Sequence, residues 1–221
     1  LMLEVLYEDN HLIAINKKSG DIVQGDKTGD APLSDFVKAY IKKKYNKPGD
    51  VFLGTIHRLD RPTSGIVLYA RTSKALTRMN EQFREKQVQK TYWAVVDNAP
   101  PNTSGTLENY LQKNQKQNKS FITKTEDGKH AVLDFKLLKK LDNFYHLEVK
   151  PKTGRHHQIR VQLANIGCII KGDLKYGAKR SNKDASIHLL AQKLEFIHPV
   201  KKEPITITAP APKDSIWEAC K

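Results

Sequence analysis

Short apolar β-type runs recur along this chain, and the helical segments do not fall regularly between them. LEVLYEDNHLIAINK (3–17) carries two such runs around a turn at Glu8-Asp9-Asn10. GIVLYA (65–70) and KTYWAVV (90–96) are two more. Three follow around 121–125, 130–139 and 143–150, and Ile187–Ile197 with Pro204–Thr208 complete the series. Helical spacing of apolar residues predicts a helix in LSDFVKAYIKKKYN (33–46), ended by Pro48-Gly49, and a second over Thr72–Lys86, capped by Thr72 or Ser73. A third carries RHHQIRVQLAN (155–165), capped by Thr153 and ended by Gly167. QKNQKQNK (112–119) is polar, lacks periodicity and reads as an exposed loop. A doubly wound sheet requires strands and helices in strict alternation. This order instead predicts an α+β fold with a mixed, mostly antiparallel sheet.

At 221 residues and 38% hydrophobic content, a single core over 1–221 is sufficient, folded as one body or as two lobes. Lys and Arg number 38 against 24 acids, a formal net charge of +14. An excess of that size, spread along the chain, attracts polyanions, of which nucleic acid is the commonest. No apolar run approaches the roughly 20 residues of a membrane helix. Cys168 and Cys220 form no motif, which suits a reduced, cytoplasmic setting.

One acid stands out against this charge. HRLDRPTSG (57–65) places Asp60 between Arg58 and Arg61, on a turn punctuated by Pro62 and Gly65. Nearby positive charge favours an ionised carboxylate, and such a carboxylate can attack an electron-poor carbon. By itself the pattern fits better an Asp–Arg pair that pins a turn. KTGRHHQIR (152–160) offers Arg155 and Arg160 near a helix start, suited to phosphate or carboxylate, or simply to solvent. Tyr92 lies on a strand, where a phenol can move a proton or pack half-buried. GDLKYG (172–177) is a tight loop whose Tyr176 can stack on a base or pack in a core. His156 and His157 are adjacent and lack the spacing of a zinc pair, so no metal is expected. Walker, GxGxxG and GxSxG motifs are absent.

Taken in order, these segments resemble the RluA-type pseudouridine synthases. HRLDRPTSGIVLYARTS is similar to that family's catalytic motif, KTYWAVV to its tyrosine strand, and KTGRHHQIRVQL to the segment that brings an arginine to the aspartate. NHLIAINK, GDLKYG and IHLLAQKLEFIHP match as well. Two positions depart from the pattern: NKKSG (16–20) stands where NKPxG is usual, and Gln162 stands where a His is usual.

The resemblance implies a pseudouridine-synthase fold, with helices flanking the central sheet and a central cleft. It implies an isomerase of rRNA or tRNA that flips a uridine, cleaves its N1–C1′ bond and rejoins the base through C5. Asp60, Tyr92 and Arg155 take the catalytic positions. Arg58, Arg61, Arg160 and Tyr176 serve RNA binding and base flipping. No cofactor is required, and the expected partner of this monomer is structured RNA, not a membrane. Since the motifs begin near residue 1, no appended S4-type RNA-binding domain is expected. A non-catalytic RNA-binding protein would explain the charge but not the Asp–Tyr–Arg set. A glycoside hydrolase would want a second carboxylate. The charge makes its own prediction: RNA affinity falls steeply with added salt through counterion release, and a flat response in a binding titration would refute the basic surface as the binding face.

Overall fold

The computed structural model describes residues 2–124 and 126–221. In chain order the elements are β1 (Val5–Glu8), β2 (Leu12–Lys17), α1 (Leu33–Lys44), β3 (Gly54–Thr55), β4 (Ser64–Ala70), α2 (Ser73–Arg84), β5 (Gln89–Val96), β6 (Ser104–Asn114), β7 (Lys119–Thr123), β8 (Lys129–Lys140), β9 (Tyr145–Pro151), α3 (Gln158–Asn165), β10 (Leu189–Ile197), β11 (Pro204–Thr208) and α4 (Ser215–Ala219). The expected α+β fold is what forms. The chain divides into two compact units, residues 1–89 with 191–210 and residues 90–190 with 211–221.

In the first unit the strand order is β1-β2-β4-β10-β11, with β3 against the end of β4. The pairings β1–β2, β2–β4, β3–β4 and β10–β11 are antiparallel. β2 and β4 read as near-continuous apolar runs because both their faces are covered, and every residue of β4 is buried. α1 turns Leu33, Val37 and Ile41 inward at helical spacing and keeps its lysines in solvent. α2 packs on β3 and β4 and buries Ala75 and Met79. Its start is fixed as expected: the Thr72 side chain accepts a hydrogen bond from Ala75 N.

In the second unit the order is β5-β9-β8-β6-β7, again with antiparallel pairings. Ala94, Val96, Leu133, Leu147, Val149, Leu163 and Ile170 form its core. Two local expectations are corrected here. QKNQKQNK is not a loop: residues 112–114 end β6, Lys119 opens β7, and only the intervening residues turn. Backbone pairing from Tyr110–Asn114 to Lys119–Thr123 makes the hairpin, and polar side chains on an exposed strand leave no apolar trace. The run expected at 121–125 is β7, and its last residue lies outside those described. Thr153 does not cap α3 either. Its hydroxyl accepts from Val132 N and donates to Gln158 Oε1, while His157, at φ 55°, is the residue before the helix.

The β2–β4 ladder ends where Lys17 pairs with Gly65. Gly65 has φ 121°, and a Cβ there would lie 2.3 Å from Ala191 O and 2.6 Å from Ala191 N. Neither backbone atom can swing aside as a flexible side chain would. Gly65→Ala should therefore cost at least about 3 kcal/mol or prevent folding. Urea denaturation measures it, and a cost below about 1 kcal/mol would contradict this close approach.

Candidate functional site

Backbone and side-chain partners in the first unit hold the Asp60 turn. Thr63 N donates to Asp60 O at 2.9 Å and closes the turn. The next carbonyl, Arg61 O, accepts from Gly20 N at 2.9 Å and from Lys17 Nζ at 3.0 Å. Upstream, His57 Nε2 accepts from Leu68 N at 2.9 Å, and its ring stacks on Phe83 at 5.3 Å. The segment is thus tied to β2, to β4 and to α2 around a half-buried Asp60.

The two flanking arginines behave differently from one another. Arg61 turns to acids outside the motif: Nη2 lies 2.9 Å from Asp30 Oδ2 and 3.8 Å from Asp26 Oδ2. Arg58 is exposed and has no hydrogen-bond or ion-pair partner among the described residues. Lys17 is a buried cation that interacts with Asp60 through space. It is 1% exposed, and burial pulls its pKa down to about 8 against the opposing pull of the Asp21 and Asp60 carboxylates. Sequence reading passed over Lys17, which appeared only as part of a motif with an atypical residue beside it. A lysine closing an otherwise apolar strand was the available signal.

In the second unit Tyr92 lies on β5, opposite Val149 of β9, and packs against the core. Lys90, two residues earlier, has its pKa lowered by burial. Its Nζ would be 3.4 Å from a Cβ at position 154, so KTYWAVV and KTGRHH approach each other. Arg155 precedes α3, not within its first turn as the spacing suggested. Its Nε donates to His130 O at 2.7 Å and its backbone N to Gln158 Oε1 at 3.0 Å.

Arg160 and Tyr176, expected at an RNA-contacting surface, are both buried. Arg160 Nε and Nη2 each donate to Asp173 at 2.8 Å, a two-pronged pair with side-chain exposures of 5% and 1%. Its Nη1 lies 3.3 Å from His157 Nε2. A guanidinium can only donate, so Nε2 accepts and the His157 proton sits on Nδ1, which donates to Tyr176 Oη at 2.8 Å. Ser120 N donates to the same oxygen at 2.9 Å. Burial, and then the charge of Arg160, hold His157 down at about 2, so the ring stays neutral. The guanidinium also lies 5.1 Å from the centre of the Tyr176 ring. GDLKYG is therefore a support for α3: Gly172 and Gly177, at φ 88° and 113°, turn the chain so that Asp173 and Tyr176 reach Arg160 and His157.

Among the described residues, no group of three or more His, Cys, Asp or Glu is arranged to hold a metal ion. None of their helices is long and apolar enough to cross a membrane.

Breaking the Arg160–Asp173 pair from one side leaves a buried cation without its carboxylate. Asp173→Asn should cost about 3–5 kcal/mol in urea unfolding, and a loss under about 1 kcal/mol would show that the pair does not anchor α3.

Comparison with known proteins bears on this arrangement. A family profile described as RNA pseudouridylate synthase matches residues 11–165. Ribosomal large subunit pseudouridine synthase C of Buchnera aphidicola subsp. Baizongia pistaciae is 34% identical, covering 93% of this chain and 66% of that protein. Ribosomal large subunit pseudouridine synthase D of Xylella fastidiosa is also 34% identical, covering 96% and 67%. The chain thus spans about two thirds of the length of these relatives. Among solved structures, human RNA pseudouridylate synthase domain containing 4 matches with a TM-score of 0.80 at 23% identity, over 98% of this chain and 90% of that one. The match to domain containing 1 has a TM-score of 0.76 at 22% identity, over 99% and 87%. At such identities the likeness concerns the fold.

Proposed function

Because the chain belongs to the RNA pseudouridylate synthase family, we propose that it isomerises uridine to pseudouridine in structured RNA, with Asp60 as the catalytic carboxylate. The observation that carries this is the Asp60 turn: a half-buried acid on a backbone-locked loop in a chain of net charge +14. A stacked uridine is inaccessible and must be flipped out. The exposed Arg58 guanidinium has the planar shape to fill the vacated place in the stack. Asp60 then drives cleavage of the N1–C1′ bond. The base turns, C5 bonds to C1′, the C5 proton leaves and N1 gains one, so the reaction consumes nothing. Tyr92 lies against the uracil and takes part in removing the C5 proton.

The 155–160 segment supplies a guanidinium that steadies the carboxylate. Motif resemblance assigns that role to Arg155. The packing supports Arg160 instead, because it is buried and held at two points by Asp173, whereas Arg155 Nε is spent on a backbone carbonyl. A group that stabilises charge in a transition state works best when already oriented. Arg155 and Arg61 are then left to contact the RNA backbone, and Tyr176 acts through His157 and Arg160. The names of the two bacterial relatives support large-subunit rRNA as the substrate over tRNA.

Mapping pseudouridine in total RNA from cells with and without the gene tests the substrate. A site lost from large-subunit rRNA is expected, and loss confined to tRNA would overturn that assignment. On the purified protein, Asp60→Asn should keep RNA affinity within a few-fold while product formation falls at least about 1,000-fold. Persistent turnover would refute the mechanism. Arg160→Lys should lower kcat by about 100-fold or more, and Arg155→Lys by less than about tenfold, chiefly through KM. The reverse order would return the role to Arg155.

A further inference from the structure

His146 is a buried titratable side chain that the proposed reaction does not use. It is the second residue of β9 and 3% exposed, and neither ring nitrogen has a hydrogen-bond partner among the described residues. An imidazole rarely forgoes both bonds, because a buried polar group without a partner is costly. The chain's two tryptophans enclose the ring instead, each edge to face. Trp93 of β5 lies at 5.2 Å and 88°, and Trp217 of α4 at 6.3 Å and 88°. Trp217 is itself 4% exposed, so α4 helps to seal the ring from water. A second histidine holds the same segment by ordinary means. His188 Nδ1 accepts from Asn182 Nδ2 at 3.0 Å, which leaves the proton on Nε2 to be donated to Asp214 Oδ2 at 2.9 Å. Asp214 Oδ1 in turn accepts from Trp217 N at 2.7 Å and caps α4. At the far end Lys139 Nζ donates to Lys221 O at 2.7 Å.

We propose that residues 214–221 form an acid-released strap, docked against the β5–β9 pair while His146 is neutral and let go when that ring takes a proton. The two histidines respond differently to acid for a physical reason. A proton on His188 meets the Asp214 carboxylate. A proton on His146 meets no acceptor, and the ammonium of Lys139, its pairing partner on β8, repels it. Around the seam stand Lys139 from β8, Glu148 on the same face of β9, and His188. The strap itself brings Asp214, Glu218, Cys220 and Lys221. Of these, Lys139 is the one whose charge acts on the ring. Burial first, and then Lys139, lower the His146 pKa to about 4 from its ordinary 6.5. The neutral ring therefore supports docking fully above about pH 6.5. As pH falls from there toward 4, the released form binds the proton better, and docking weakens about tenfold per pH unit. Trp93 follows Tyr92 and points to the opposite face of β5, so the strap braces from behind the strand that carries this tyrosine.

Amide hydrogen exchange on the full chain, corrected for intrinsic rates, tests this from about pH 7.5 to about pH 4.5. Protection of the 216–220 amides should fall about 50- to 100-fold over that range, and β9 amides should stay better protected than the strap at every pH. His146→Phe keeps an aromatic ring between the tryptophans and cannot take a proton. Its strap should lose less than about tenfold. If that variant fails to fold, the His146 ring resonances of the wild type decide the matter. They should titrate below about pH 6, and a midpoint at or above that value overturns the proposal. So does a strap as well protected in acid as near neutrality, or a fall in His146→Phe equal to that of the wild type. Equal protection of strap and β9 would mean that residues 214–221 open only with the whole unit, which also overturns it.

Discussion

The approach of Gly65 to the backbone of Ala191 fixes where β4 begins, and nearly everything around Asp60 follows from that constraint. A side chain at this position would push β4 away from β10 and shift the end of the β2–β4 ladder. Lys17 pairs with Gly65 in that ladder, so the same contact sets where the buried ammonium sits. From there the ammonium reaches Arg61 O, Gly20 N reaches the same atom, and Thr63 N closes on Asp60 O. The Asp60 turn is thus tied to the ends of two buried strands, the kind of support that fixes a side chain in place.

Two buried cations organise the two units, and their environments differ. Arg160 meets a full carboxylate in fork geometry, which offsets the cost of burying it and keeps it charged. Lys17 meets carbonyl dipoles directly and carboxylates only through space, so burial prevails and its pKa falls to about 8. The first arrangement gives a permanent cation that anchors α3. The second gives a cation that responds to pH. The surplus lysines at the surface, by contrast, do nothing for either unit's core and are available to a polyanion.

His157 and Tyr176 form an internal strut behind Arg160. His157 is kept neutral so that it can accept from Arg160 and donate to Tyr176, whose oxygen also takes the Ser120 amide. Motif residues near an active centre are easily read as touching the substrate. In GDLKYG, Asp173 and Tyr176 hold Arg160 and His157, and the glycines permit the turns that bring them there.

What could be read without coordinates was set by local rules. Alternating and continuous apolar runs marked β1, β2, β4, β5 and β10, helical spacing marked α1 and α2, and Thr72 marked a cap, because each depends on residues a few positions apart. The Asp60 turn stood out because Pro, Gly and a lone acid are unusual in company with two arginines. Three things lay beyond such rules. Pairing of a polar hairpin depends on backbone partners, so β6 left no mark. Thr153 was drawn from its expected cap to Val132 and Gln158, which are distant in the chain or on its other side. Above all, the partners of each charge were decided in three dimensions: Arg61 went to Asp30, Arg160 to Asp173, and Lys17, not a neighbouring arginine, came to lie beneath the turn. Composition determined how much positive charge the chain carries. Only the tertiary fold determined which cations leave water, because desolvation and Coulomb attraction depend on distances that sequence neighbours do not report.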